Sequence, residues 1–281
     1  MVKQFHDKLI GGMVKNGYTH EYAEKDFKQL EGFGSYGFPE SHAVSFALLV
    51  YISSWLKCHY PDVFAAGLLN SQPMGFYAPA QIVKDAQQHG VTIRPVDINH
   101  SEWDNTLEEK DGHYCALRLG FRQVKGLPEE EIKMLISARK KSFTNVNELL
   151  DTGISIATLE KLADADAFRS VGLDRRKALW EISALADHPE GVFKGQPSES
   201  IFEESVVIPE MTPAEHVVQD YSSTSLSLKA HPVSFVRNQL SDSRIISTAA
   251  LNTLPDGAYV KVAGLVLVRQ RPGTASGICF I

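Results

Sequence analysis

The longest apolar stretch of the chain runs from Ala43 to Leu56, where the only polar side chains are serines and one tyrosine. A helix with no polar face belongs inside a protein, so this pattern predicts a buried helix. Just before this helix, Gly34, Gly37 and Pro39 predict a rigid turn. Glycine adopts backbone angles that other residues avoid, and proline ends the secondary-structure element that precedes it. Ser41 is placed to cap the helix that follows.

Apolar positions at helical spacing, bounded by glycine, proline or a capping residue, predict most of the remaining elements. Further helices are expected at residues 5–14, from Thr19 to Gly32, and at 62–70 with Val63, Phe64 and Leu68 inward, 79–88, 129–139, 174–185 and 213–221. Strands are expected at 91–93 and 96–98 with 114–119 as a partner, and at 259–268 and 277–281 across a turn at residues 271–273. Two polar segments, 99–112 and 187–213, are predicted to be a surface connection and a linker.

Two stretches share a pattern of an apolar residue, a tight turn with glycine, and a helix start. They are residues 121–129 and 167–174, and they are typical of helix-hairpin-helix modules. Backbone amides at such a turn bind a phosphate, because the unpaired donors and the helix dipole both favour an anion. Two copies so close together predict a tandem unit.

The two copies differ in charge. The first helix opens with Glu129, Glu130 and Glu131, which favour the helix but repel a phosphate. The second opens with Arg175, Arg176 and Lys177, which are unfavourable at a helix N-terminus unless a polyanion is bound there. The alternative for these cations is pairing with acidic neighbours such as Asp164 or Asp166 on a solvated face.

Composition sets wider bounds on the function. The chain has 281 residues, 43% of them apolar and 22% charged, and three widely separated cysteines, which is ordinary for a soluble globular protein without disulfides or zinc. It has no run long enough to cross a membrane and no secretory signal at its N-terminus, so a cytoplasmic location is expected. The net charge of −6 disfavours a surface that is basic throughout, although basic residues including Arg122 and Lys125 cluster between residues 117 and 142.

The run from Phe33 to Ala43, with Trp55-Leu56-Lys57 and Tyr60-Pro61, resembles the fingers region of bacterial C-family DNA polymerases. Pro39-Glu40 and the run from Leu69 to Tyr77 resemble the error-prone, damage-induced branch rather than the replicative one, which usually has Asn-Lys before Ser-His. Residues 228–233 resemble the segment that precedes the oligonucleotide-binding (OB) barrel of that family. The resemblance covers almost the whole chain.

The resemblance implies a mainly α fold of fingers helices and a tandem helix-hairpin-helix, followed by an incomplete β-barrel of OB type. The expected domains are a fingers-like helical domain at 1–112, a tandem helix-hairpin-helix DNA-binding domain at 113–190, a linker and pre-barrel segment at 191–255, and the start of a truncated OB fold at 256–281. A barrel of this kind needs five strands, and the sequence stops at about the second, so the chain is expected to be a C-terminal fragment.

The implied function is template-directed DNA synthesis across lesions after DNA damage. Its alternatives are a fragment of the replicative polymerase III alpha subunit and, in a different class, a free-standing DNA-binding module without catalytic activity. In this family the metal-binding aspartates lie in a palm domain that precedes the fingers. Nothing before Phe5 supplies them, so no catalytic residue is assigned and the fragment alone is expected to be inactive.

The candidate site residues fall into two groups. Three are expected near the incoming nucleotide, where Glu40 replaces a lysine of the replicative pattern, and Ser41 and His42 either reach the triphosphate or are a helix cap and a buried histidine. Seven basic residues are candidates for DNA contact. They are Arg122, Lys125, Arg175, Arg176, Lys177, Arg269 and Arg271.

The expected cofactors and partners are those of a polymerase. Mg²⁺ is expected for the intact enzyme and none in this fragment, because Asp164 and Asp166 are two apart in a helical stretch and face different sides. Partners are primer-template DNA, deoxynucleoside triphosphates in the intact enzyme, mutagenesis accessory proteins and, indirectly, the sliding clamp, with no membrane.

Overall fold

The computed structural model describes residues 5–36, 40–75, 77–186, 207–266, 268–271 and 278–280, with the backbone alone at 32–36, 40–41 and 186. The chain divides into two compact units, Met1–Tyr60 and Pro61–Ile281. It is mainly helical, as the sequence predicts, with one small sheet. Within the described residues, no helix has the length and apolar character needed to cross a membrane.

In the described residues of the first unit the chain forms α1 (His6–Lys15), α2 (His20–Tyr36) and α3 (Glu40–His59). The first two pack through Ile10, Ala23 and Phe27, and the ring of His6 meets Phe27 edge-on at 4.5 Å. The predicted cap is present, since Thr19 Oγ1 accepts a hydrogen bond from the amide of Tyr22 at 3.3 Å. The predicted end at Gly32 is wrong, because α2 continues to Tyr36; a single glycine weakens a helix by about 1 kcal/mol and does not break it.

The apolar helix predicted from the longest hydrophobic stretch is present as α3, but its predicted burial is not found. Eight of its large apolar side chains are exposed: Val44, Phe46, Leu48, Leu49, Val50, Tyr51, Ile52 and Trp55. Of the turn predicted from Gly34, Gly37 and Pro39, Gly34 lies within α2 and residues 37–39 lie outside the described residues. An apolar surface of this size normally packs against a partner. Among the described residues of this unit, the apolar side chains of α3 are exposed and have no such partner.

The second unit begins with α4 (Pro61–Asn70) and α5 (Pro79–Gln88) and a sheet of β1 (Ile93–Arg94), β2 (Thr106–Asp111) and β3 (Tyr114–Arg118). The strand order is β1-β3-β2, with β1 parallel and β2 antiparallel to β3. The predicted pairing of the segment after residue 90 with residues 114–119 is confirmed. The prediction of 99–112 as a surface connection is wrong, because this segment supplies β2.

Charges explain how the polar strand β2 is held. Glu108 accepts from Arg94 Nη1 at 2.6 Å and from Arg118 Nε at 2.7 Å, so one carboxylate on β2 joins all three strands. Partial burial raises the pKa of Glu108, but Arg118 and then Arg94 outweigh burial and hold the pKa below its ordinary value. The sheet is therefore stabilised by ion pairs as well as by its buried face.

The remaining helices are α6 (Glu129–Ala138), α7 (Val146–Leu150), α8 (Ile156–Asp164), α9 (Arg175–Ala186), α10 (Pro213–Thr224) and α11 (Arg237–Asp242). Apolar side chains of α4 to α9 share one core with the sheet, and it includes Leu69, Leu117, Phe121, Ile132, Leu135, Leu159, Phe168 and Ile182. The predicted domain boundary after residue 112 falls in the turn between β2 and β3, and this core contains residues from both sides of it.

Two smaller expectations need correction. In α4, the predicted inward position of Leu68 is confirmed, since it packs against the core, but Val63 is 47% exposed and the buried apolar positions are Ala65, Ala66 and Leu69. After α11, the described residues show two isolated bridges, Ile246 with Val262 and Gln270 with Phe280, and the predicted strand over 259–268 does not form there. Of the linker predicted at 187–213, residues 187–206 lie outside the described residues, as do the turn residues 272–273, whereas residues 207–212 have no regular secondary structure.

Candidate nucleic-acid interface

The first hairpin consists of a short 3₁₀ turn at Phe121–Gln123, the tight turn 124–128 and helix α6. Gly126 adopts φ +71°, a left-handed conformation that glycine accepts without strain. Its carbonyl accepts a hydrogen bond from Lys161 Nζ on α8 at 2.5 Å. The turn is thus held from one side by a cation of the second hairpin.

Lys125, which was predicted to contact DNA, forms its hydrogen bonds within the protein. Its amide donates to the carbonyl of Ser223 at 2.8 Å, and its Nζ donates to the carbonyls of Tyr221 and Ser222 at 3.1 and 2.8 Å. These carbonyls lie in the last turn of α10, where that of Tyr221 also accepts from the amide of Ser225 at 3.1 Å and helix geometry leaves the other two without intrahelical partners. The tip of the first hairpin therefore caps the C-terminal end of α10.

The glutamates that open α6 also have structural roles. Glu131 accepts from the amide and the hydroxyl of Ser155, the N-cap of α8, at 2.8 and 2.9 Å. These bonds, together with that from Thr158, hold the pKa of Glu131 below its ordinary value. Glu129 and Glu130 pair with Lys133 one turn along the same helix. Of the three glutamates in this acidic turn, Glu131 ties α6 to α8.

The second hairpin consists of α8, a turn at residues 167–174 and helix α9. Gly172 adopts φ +81°, and a Cβ atom placed on it would meet open space. Asp174 caps α9 by accepting from the amide of Lys177 at 3.0 Å. Burial raises the pKa of Asp174, but the bonds from Lys177 and the charges of Lys177 and Arg169 outweigh it and lower the pKa.

Arg175 does not reach the surface, contrary to its predicted place in a DNA contact. The residue is 2% exposed, and its guanidinium donates to the carbonyl of Asp164, to His216 Nδ1 and to Asp220 Oδ1 at 2.8, 3.2 and 2.7 Å. The alternative considered from the sequence, pairing with an acidic neighbour, is the one observed, although the carboxylate belongs to Asp220 rather than to Asp164 or Asp166. All of its terminal nitrogens are used inside the protein.

Asp220 is the centre of this buried charge cluster. Besides Arg175, it accepts from Ser227 Oγ at 2.7 Å and from Lys229 Nζ at 2.9 Å. Burial raises the pKa of Asp220, but the hydrogen bonds from Ser227, Lys229 and Arg175 outweigh burial and hold the pKa below its ordinary value. Lys229 also pairs with Asp166 at 3.0 Å, so the cluster links α9, α10 and the segment after α10.

His216 lies at the edge of the same cluster. Burial lowers its pKa, and the charges of Lys229, Arg175 and Arg169 lower it further, against the opposing effect of Asp166. The ring is therefore held neutral, which suits it to accept the hydrogen bond from Arg175.

The sequence analysis missed Asp220 and Lys229. Arg175 and Asp220 are 45 positions apart, so no local pattern joins them. One signal was available: Val217 and Asp220 lie three apart and share a helix face, so an acid stands on the apolar side of α10, where a buried partner is required.

The other predicted DNA contacts lie in varied surroundings. Arg122 donates to the carbonyl of Asn70 and to Asp104, both at 2.6 Å, and Arg176 donates to the carbonyl of Pro209 at 2.8 Å. Lys177 is 48% exposed in its side chain and pairs with Asp174 at 3.3 Å. Arg269 and Arg271 are exposed near the C-terminal end of the chain.

The three residues predicted near the nucleotide begin α3. The side chains of Glu40 and Ser41 lie outside the described part of the chain. His42 is exposed rather than buried, and its ring lies 4.3 Å from that of Phe46. The structure therefore disfavours the alternative in which His42 is a buried histidine.

Metal binding finds no support in the described residues. Within them, no three His, Cys, Asp or Glu side chains come together as a ligand set. Asp166 is taken up by Arg169 and Lys229, and Asp164 accepts from Gln219. The three cysteines are free thiols.

Both hairpin turns lie within residues 90–178, which fit the family model described as helix-hairpin-helix motif. The chain is also similar along its length to proteins named error-prone DNA polymerase. It is 52% identical over 290 residues to error-prone DNA polymerase 2 of Rhizobium meliloti and 53% identical over 290 residues to error-prone DNA polymerase 2 of Agrobacterium fabrum. It is 50% identical over 277 residues to the error-prone DNA polymerase of Brucella abortus.

These matches cover 98 to 100% of this chain and 26 to 27% of the relatives, so the chain spans about a quarter of their length. The family resemblance predicted from the sequence is confirmed, including its error-prone branch.

Proposed function

We propose that this chain is part of an error-prone DNA polymerase, a DNA-directed nucleotidyltransferase that acts in translesion synthesis and damage-induced mutagenesis. The observation that carries the proposal is identity of about half the residues, from end to end, with proteins of that name. A replicative polymerase and a free-standing DNA-binding module are not favoured, because the matched proteins carry the error-prone name.

Within such an enzyme the tandem helix-hairpin-helix is assigned to primer-template DNA. Its backbone amides suit phosphate, which positions a duplex without reading its sequence. Lys177 is proposed as a side-chain contact, because it is exposed beside the first turn of α9. Arg176 is a weaker candidate, since it also holds Pro209, and Arg269 and Arg271 are proposed for single-stranded template.

Other parts of the proposal concern the whole enzyme. Glu40, Ser41 and His42 are placed near the incoming deoxynucleoside triphosphate, and residues 256–281 are assigned to the start of an OB-type barrel. Mg²⁺ and its carboxylates are assigned to the part of the polymerase outside the matched quarter, because the described residues offer no ligand set. Mutagenesis accessory proteins, an indirect link to the sliding clamp and a cytoplasmic location complete the assignment.

A chimera tests this function. This chain replaces the matching quarter of the Rhizobium meliloti error-prone DNA polymerase 2, and primer extension is measured on undamaged and abasic templates. The proposal predicts extension on both, within about tenfold of the parent enzyme, and none by this chain alone. A chimera that folds, binds primer-template as the parent does and extends neither template would overturn the proposal.

A further inference from the structure

Helix α10 contacts both hairpins of the tandem unit. At the first hairpin, the amide and the ammonium group of Lys125 donate to the carbonyls of residues 221–223 at 2.8 to 3.1 Å. At the second, the guanidinium of Arg175, the first residue of α9, donates to His216 Nδ1 and Asp220 Oδ1 at 3.2 and 2.7 Å. Both sets of acceptors lie on about two turns, or 10 Å, of the helix. One stretch of α10 therefore joins the two hairpins.

The attachment of α10 to the second hairpin is buried. Arg175 is 2% exposed and Asp220 is 7% exposed, and Val217, on the same face of α10, is 1% exposed. Gln219 adds a hydrogen bond to Asp164 of α8 at 3.4 Å. A buried ion pair is costly to separate, because each charge would lose its partner inside the protein. The position of α10 is therefore fixed by the second hairpin.

The tip of the first hairpin is held by polar contacts. Val124 and Leu127 are buried in the core, but Lys125 and Gly126 between them are exposed. The carbonyl of Gly126 accepts a hydrogen bond from Lys161, and Lys125 donates to α10. Because hydrogen bonds rather than burial hold this exposed tip, α10 limits its movement relative to the second hairpin.

A fixed separation of the two hairpin turns favours binding to a duplex, whose phosphates are regularly spaced. A turn that moves freely must lose conformational entropy when it binds, and this loss weakens the complex. A helix that holds both turns in place removes part of that cost before DNA binds. Such a helix raises the affinity without itself contacting a phosphate.

We propose that α10 is a positioning element of the tandem helix-hairpin-helix: it holds the turn of the first hairpin in place relative to the second, and so raises the affinity for duplex DNA. This helix, Pro213–Thr224, lies outside the residues 90–178 that match the helix-hairpin-helix motif. The proposal rests on the proposed DNA binding and deepens it, since it makes Lys125 a positioning residue rather than a phosphate contact.

Fluorescence anisotropy of the full chain with a short labelled duplex, measured across salt concentrations, tests this role. Lys125 is exposed, so Lys125→Met removes its ammonium group without opening the core. We expect this variant to bind the duplex about fivefold more weakly, because the turn is then ordered only on binding. The slope of log K against log salt should keep its wild-type value, because no phosphate contact is lost.

Two further variants and one further measurement are controls. Lys125→Arg keeps a cation that can donate to the carbonyls of α10, and it should restore most of the wild-type affinity. Lys110→Met removes an exposed charge of the same kind from β2, and it should leave affinity and slope unchanged. Hydrogen exchange should show a faster-exchanging amide at residue 125 in Lys125→Met, with the amides of the core unchanged.

The contrary results separate this proposal from the proposed function. A slope reduced by about 0.9 in Lys125→Met would make Lys125 a phosphate contact and overturn the proposal. Wild-type affinity in Lys125→Met, an equal loss in Lys110→Met, or an unchanged exchange rate at residue 125 would overturn it as well, while leaving the DNA binding of the chain intact. If the wild-type chain binds no duplex, the proposed DNA binding itself fails, and this proposal fails with it.

Discussion

Asp220 carries a charge in the interior of the protein and compensates two cations at once. Replacing it by asparagine would leave the guanidinium of Arg175 buried beside a neutral group, and removing one partner of a buried ion pair is strongly destabilising. We expect Asp220→Asn to lower the free energy of unfolding by about 3 kcal/mol, measured by urea denaturation at pH 7. The exposed Asp256→Asn is the control, and an equal, small effect of both variants would contradict the account of the cluster.

The same residue predicts a pH dependence. The pKa of Asp220 is lower in the folded protein than the value of about 3.9 in an unfolded chain, so the unfolded state binds the proton more readily. Its contribution to stability is therefore complete above the unfolded pKa and is lost as the pH falls through the folded value. The stability difference between the wild type and Asp220→Asn should be constant from pH 7 to 5 and shrink below about pH 4. A difference that stays constant down to pH 3 would argue against a charged Asp220.

Gly120 and Gly126 are required for different reasons, the first because of a close steric approach and the second because of its backbone conformation. A Cβ at Gly120 would overlap the backbone of Trp103 and Asp104, although its own backbone angles suit any residue. At Gly126 the surroundings tolerate a Cβ, and alanine would mainly bear the cost of a left-handed conformation, about 1 to 2 kcal/mol. Thermal unfolding should show Gly120→Ala as the more damaging substitution. The reverse order would mean that the approach of residues 103–104 is readily relaxed.

The sequence predicted which charged residues lie at the candidate site, but not which residues they pair with. The sequence identified both hairpins and the cations beside them, because these depend on local order. It assigned Arg175 and Lys125 to DNA, whereas each meets acceptors about 45 to 100 positions away on α10. Contacts across such distances depend on tertiary packing, which no local pattern records.

The helices show where local signals suffice. The signals at Thr19 and Pro79 predict where two helices begin, and the observed first residues are His20 and Pro79. The strand β2 was missed because its sequence, from Thr106 to Asp111, is mostly polar and is held by Glu108 pairing with arginines on two other strands. The register of a polar strand depends on its neighbours more than on its own sequence.

The exposed apolar side chains of α3 are expected to make the isolated chain self-associate. Its exposed apolar surface should drive self-association at micromolar concentrations, because contiguous apolar patches of this kind form interfaces. Size-exclusion chromatography with light scattering should show oligomers whose proportion falls in a Val44→Glu and Tyr51→Lys double variant. The control is Val218→Glu, at an exposed apolar position of α10. A monodisperse monomer in the wild type would show that α3 does not self-associate.

The chain as a whole combines an acidic net charge with a fold suited to DNA. Its net charge of −6 disfavours general attraction to a polyanion, so binding has to come from a local site with free backbone amides and a few cations. The family resemblance was predictable because it depends on long runs of matching residues. It does not require the individual tertiary contacts, which the sequence did not predict. The predicted start of an OB-type barrel is not confirmed, because the described residues after Asp242 form a 3₁₀ helix at Thr248–Thr253 and two isolated bridges.

The most direct test of the account is the affinity of the wild-type chain for a DNA duplex as a function of salt. We predict binding at 50 mM salt that is independent of sequence and a log K that falls linearly with log salt, with a slope of only a few units because few exposed cations lie beside the hairpins. Absence of binding at low salt, or an affinity unaffected by salt, would contradict the claim that this chain holds the DNA of a polymerase.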